Sequence, residues 1–277
     1  MKFLLLLAAA VAAVSGNKAK PAALPATFDA YVSTNIDELM ARLSPVYVPL
    51  AELQAIAAGH PAERDASFKL AERLVPPESF LHSVRCYYFA LGTLYSGFPS
   101  GTPGIPQIPA TELATRLYHG AILHDLGWTQ STEGLAHPAH TMSFELFGGI
   151  RAYEHLQAEA PSLNGTEVSD IVQSIMLHTL APGWSLGMSS ATGMLLSLSA
   201  WFDVGGYDVA GPGSRDRMIS RDTVREIEAA YPRGSFAKEG TAIVESEFAR
   251  KPDCLISHMP GIPENLPTTI RVDPIVE

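Results

Sequence analysis

AILHDLGW, residues 121–128, sets an imidazole beside a carboxylate, His124-Asp125, at the end of an apolar helical run. Two further polar residues interrupt runs that otherwise read as buried helix. His82 lies upstream in PESFLHSVRCYYFAL (77–91), and Asp203 lies downstream in MLLSLSAWFDVGG (194–206). A polar side chain in apolar surroundings costs free energy unless it is hydrogen-bonded, paired or bound to a metal. Singly, each residue has a structural reading: a core histidine is commonly a hydrogen-bonded neighbour, and an aspartate shortly before Gly205-Gly206 fits a capped turn. On successive helices, in the order His, His-Asp, Asp, the four read as ligands of one divalent ion.

Outward from this run, turn signals divide the chain into segments of helical length. A helix from Asp65 to Val75 should stop at Pro76-Pro77, and the next should begin near Glu78. Phe80, Leu81, Val84, Tyr88 and Leu91 then share a face, with His82 and Cys86 one turn apart. YSGFPSGTPGIPQIP (95–109) reads as a loop, with Tyr95 and Phe98 placed at a pocket mouth or against a core edge. A third helix is predicted from Ala110, with Thr111 as a candidate cap, to the His-Asp pair, where Gly127 ends it. Helices follow through SFELFGGIRAYEHL, EVSDIVQSIMLH and TGMLLSLSAWFDV. No strand-like alternation persists, so the chain is predicted to be all-α. His137 and His140 flank Pro138 in a loop, which argues for exposed histidines rather than a zinc pair. His119 reads as structural, and His60, His155 and His258 lack convincing partners. Cys86 could be a soft ligand or a nucleophile, but its apolar setting favours an inert buried thiol. No Gly-rich phosphate cradle, serine elbow or CxxC array is present.

The 277 residues are 47% hydrophobic and 17% charged, a globular balance, and the net charge of −10 argues against a nucleic-acid backbone as partner. MKFLLLLAAAVAAVSG (1–16) reads as a secretory signal cleaved near Ser15 or Gly16. Its apolar core is shorter than the roughly 20 residues a membrane span needs. This reading places the protein in the secretory pathway without stable membrane insertion. Asn164-Gly165-Thr166 is an N-glycosylation sequon, and Cys86 with Cys254 is the one pair that could form a disulfide.

The ordered residues His82, His124-Asp125 and Asp203 resemble the HD-domain superfamily of helical metalloenzymes. The flanking text is similar to its fungal cyanamide hydratase-like branch: LHSVRCYYFALG, TMSFELFGGIRAYEHL, SLSAWFDVGG, SRDTVREIEAAYPRGSF and ESEFARKPDCLISH. The resemblance implies a compact multi-helix domain over residues 65–260, preceded by an extension (17–64) and followed by an irregular tail (261–277). It implies His82, His124, Asp125 and Asp203 as metal ligands, with Glu145 and His178 as catalytic pocket groups. Zinc is the metal it favours, although iron and manganese suit the same donors. The implied reaction is hydration of cyanamide to urea, or of a related small nitrile-type substrate, by metal-bound hydroxide. A role in fungal specialised metabolism is compatible with this. Two departures bear on the substrate: His178-Thr179-Leu180 stands where the branch has a His-Gln-Asp-like triplet, and Val204 where it has asparagine. Pocket residues near Tyr95, Phe98, Trp128 and Trp184 would then set specificity. Two alternatives stay open, an HD-type phosphohydrolase with Arg85 or Arg116 near the phosphate, and a noncatalytic secreted protein. Whether the chain forms a homo-oligomer is also open.

Overall fold

The computed structural model describes residues 23–180 and 187–276. The proposed signal sequence and Trp184 lie outside them. Two short helices, α1 (Ile36–Arg42) and α2 (Leu50–Gln54), precede α3 (Pro61–Leu74). Pro76 and Pro77 separate α3 from α4 (Pro77–Tyr95). Proline cannot continue a preceding helix, yet it suits the first turn of a new one, where its missing N–H is not needed. After α5 (Ala110–Leu123) and the four-residue α6 (Thr132–Leu135) come α7 (Phe144–Glu159), α8 (Gly165–Leu177) and α9 (Ala191–Gly205). The chain then forms α10 (Arg221–Ala230), α11 (Phe236–Arg250) and α12 (Ile262–Thr269). The fold is all-α as predicted.

α4 and α9 bury residues around almost their whole circumference, the pattern of helices enclosed on all sides. They pack on one another, and α5 and α8 complete a four-helix core around them. α7 lies along α8 and against the turn after α5, α3 lies on α5, and α10 and α11 cover α4. Beside the main core, Trp128, Phe144, Phe236, Val244, Ile256 and Ile270 form part of a smaller apolar cluster. Among the described residues no helix is long and apolar enough to cross a membrane.

Several local expectations need correction. The loop after α4 contains a strand, Gln107–Pro109, paired antiparallel with Thr27–Asp29, and a second pair joins Tyr31–Ser33 to Met188–Ser190. Three-residue strands are too short to show alternation, and their partners lie far away in sequence. Thr111 does not cap α5; Pro109 occupies that position, with no side-chain cap bond. Residues 261–277 are not an irregular tail, because they contain α12 and bury Ile270 and Ile275. Of the two places open to Tyr95 and Phe98, both take the core edge: Phe98 is buried against Phe28 in the main core, and Tyr95 packs on the same core. Asn164 is exposed and caps α8, its Oδ1 accepting from Thr166 and Glu167 N–H. Cys86 and Cys254 are both buried free thiols.

Candidate metal centre

Every helix of the four-helix core contributes to one buried cluster. His82 comes from α4, His124 caps the C-terminal end of α5 with Asp125 following, His178 caps the end of α8, and Asp203 lies in the last turn of α9. All five are buried, His124 and Asp203 completely. Gly127 does not end α5 through a left-handed cap; it allows close approach. A Cβ there would lie 2.0 Å from the Phe144 carbonyl oxygen. The pair is thereby drawn against the start of α7.

Hydrogen bonds fix the ring tautomers. His124 Nδ1–H donates to the Ala121 carbonyl at 2.8 Å, and His178 Nδ1–H donates to Ile175 at 2.7 Å. His82 Nδ1–H donates to Asp203 Oδ2 at 2.6 Å. In the neutral ring the other nitrogen, Nε2, is then an acceptor. Burial pushes all three histidine pKa values down, that of His178 to about 4, so the neutral form is the stable one at pH 7. For His178 this departs from the near-neutral titration expected of an ordinary imidazole: it is an acceptor at rest.

Three acceptors therefore converge. His82 Nε2 and His124 Nε2 are 3.2 Å apart, and Asp125 Oδ2 is 3.6 Å from the first and 3.3 Å from the second. Among the described residues, Asp125 Oδ2 is buried without a hydrogen-bond partner. Burial, with Glu145 and Asp203 nearby, raises the Asp125 pKa well above the usual carboxylate range. Ionised, this carboxylate needs a compensating cation, and separations of this size suit three ligand atoms each about 2.0–2.2 Å from one divalent ion. His124, Asp125 and His178 form a second grouping of closely spaced potential ligands.

Asp203 sits on the other side of the His82 ring, where both its oxygens are engaged. Arg85 Nε and Nη2 each donate to it at 2.8 Å, and Arg233 Nη1 lies 3.1 Å from Oδ1. Burial alone would raise its pKa, but the two guanidinium groups overcome this and hold it well below the usual range. Phe236 stacks on His82 with ring centroids 4.6 Å apart. Cys86 Sγ is 3.6 Å from His82 Nδ1, so it joins His82 and His124 in a potential ligand group. Burial raises its pKa well above the ordinary thiol value, and it donates to the Ser199 carbonyl. It is an uncharged thiol, a poor metal ligand in this state.

A cavity of about 50 Å³ adjoins the cluster. His82, Asp125, His178, Thr179 and Thr269 are its polar lining residues, and Trp128, Phe144, Trp201 and Val204 form much of its apolar wall. Of the aromatic residues suggested for a pocket, Trp128 lines this cavity; Tyr95 and Phe98 do not. Glu145 is also outside the lining. It is fully buried, its oxygens accept from Ser143 and Thr179 hydroxyls, and burial raises its pKa. Thr179 thus stands between Glu145 and the cavity. Sequence reasoning missed Arg233 and Phe236 as parts of this site, since neither forms a recognisable spacing with the histidines, whereas Thr179 was marked as a departure near the pocket and does line the cavity. Among the described residues no arginine or lysine lines the cavity. Arg85 is spent on Asp203 and the Tyr231 and Pro232 carbonyls, and Arg116 on Glu112 and Asp170.

The chain is similar to two proteins of Saccharomyces cerevisiae, the cyanamide hydratases DDI2 and DDI3. Each is 27% identical over 172 residues, 62% of this chain and 66% of the relative. The match thus spans just under two thirds of either relative's length. No protein-family model matches the chain.

Proposed function

We propose that this protein is an HD-type metal-dependent hydratase, converting cyanamide to urea or hydrating a closely related small nitrile. The observation that carries the reading is the convergence of three buried potential ligands, His82 Nε2, His124 Nε2 and Asp125 Oδ2, within 3.6 Å of one another. They would hold a divalent ion, zinc by preference, with Asp203 orienting the His82 ring from behind. Bound there, such an ion lowers the pKa of water towards about 7 and polarises an unsaturated substrate.

The remaining chemistry falls to the chain's own groups. His178 presents Nε2, a neutral acceptor at the cavity, to take a proton as water oxygen joins the nitrile carbon; returning it to nitrogen gives the isourea, which tautomerises to urea. Glu145 acts behind Thr179, orienting its hydroxyl. A cavity of about 50 Å³ has room for roughly three or four water-sized groups, which suits a molecule the size of cyanamide. The absence of a free cation from its described lining speaks against phosphate ester cleavage, where positive groups must stabilise phosphoryl charge. Similarity to the yeast cyanamide hydratases supports the same choice of chemistry. The secretory location belongs to this proposal on the strength of residues 1–16 alone.

Metal analysis of the purified protein, paired with urea release from cyanamide, tests the reading. One zinc per chain with turnover is expected, and His124→Ala should lose both while keeping its helical circular dichroism. Full turnover by metal-free His124→Ala would remove the mechanism.

A further inference from the structure

Among the described residues, two buried polar atoms on side chains lining the cavity lack hydrogen-bond partners, and they are of opposite kind. One is the acceptor Asp125 Oδ2; the other is the indole N–H of Trp128. A buried N–H without a partner is uncommon and calls for an explanation. Indole donates and cannot accept, so this group has no use for a cation. It needs a lone pair. Trp128 is also held in place: it packs on Phe144 with ring centroids 5.5 Å apart, lies nearly parallel to His82 at 6.4 Å, and sits in the turn directly after Asp125.

We propose that Trp128 positions the substrate, its indole N–H donating to the nitrogen of the bound nitrile. This rests on the hydratase reading. As the C–O bond forms, one π pair of the C≡N bond moves onto nitrogen, where negative charge gathers. A fixed donor aimed at that nitrogen stabilises the charge as it develops. The indole keeps its proton throughout. The proton that nitrogen takes up is the one released by the attacking water, so atoms and charge balance without an added reactant.

The test uses the full-length metal-loaded protein labelled with ¹⁵N at its three tryptophan side chains. Acetonitrile serves as the probe, because its one acceptor is a nitrile nitrogen. The Trp128 indole resonance, assigned with Trp128→Phe and Trp201→Phe, should shift saturably as acetonitrile is added. Trp128→Phe should keep its metal, bind acetonitrile at least 10-fold more weakly and turn over cyanamide with kcat about 100-fold lower. An unmoved Trp128 resonance in the wild-type protein overturns the proposal whether or not the variant folds, as does wild-type kcat and KM in a folded Trp128→Phe. A shift with no turnover of cyanamide by the wild-type protein would retain the donor and discard the hydratase.

Discussion

The His82 ring shows how a single side chain is committed from two sides. Its Nδ1–H is fixed by Asp203, so Nε2 must face His124 and Asp125 as an acceptor. Asp203 can do this as a stable anion because Arg85 and Arg233 hold it. A carboxylate orienting a ligating histidine usually contributes 10–100-fold to metal affinity, whereas a direct ligand contributes most of the binding. Asp203→Asn should therefore weaken zinc binding about 10–100-fold, while Asp125→Asn should abolish stoichiometric binding. Competition against a chelator measures both, and equal loss in the two variants would make Asp203 a ligand in its own right. Much of this residue-level arrangement could be anticipated. His82, His124, Asp125 and Asp203 are conspicuous because each is polar within an apolar run. Arg233 is not, because PRGSF is an ordinary polar turn until the fold carries it to the carbonyl and carboxylate of Asp203.

At the level of elements, the boundary between α3 and α4 was legible because two prolines can only end one helix and start another. The paired strands were not, because each is three residues long and meets its partner far along the chain, for instance Thr27 at Pro109. Gly127 falls between these cases: the sequence marks a break after the His-Asp pair, but not its cause. The cause is contact between the turn after α5 and the first residue of α7. Because a Cβ at Gly127 meets backbone rather than a flexible side chain, the two elements must separate to admit it. Gly127→Ala should cost about 3 kcal/mol in chemical denaturation, the upper range for overpacking. It should also weaken metal binding, since Asp125 moves with the turn. Wild-type stability in this variant would show that the approach of α7 is not tight enough to matter.

Across the whole molecule, histidines held neutral by burial tie stability to pH, and one of them does so away from the metal cluster. His119 is fully buried, with Nδ1 2.9 Å from the Ser67 hydroxyl, which also meets His155 Nε2 at 3.0 Å. The sequence identified His119 as structural but gave no sign of this bridge, because α3, α5 and α7 each supply one member. Burial first, then the neighbouring His155, lowers the His119 pKa from 6.5 to about 4. The unfolded chain thus binds a proton at this site before the folded one does. The stabilisation is fully present above pH 6.5, falls as pH drops from 6.5 towards 4, and declines no further below that. A shift of this size corresponds to about 3 kcal/mol. His119→Gln should be less stable than wild type at pH 7, where the Ser67 bond is lost without compensation. The gap should narrow by about 3 kcal/mol between pH 6.5 and 4, because the variant has no proton to take up there. Urea denaturation of both proteins across that range reads the difference directly, and a gap independent of pH would show that His119 titrates alike in the folded and unfolded chains.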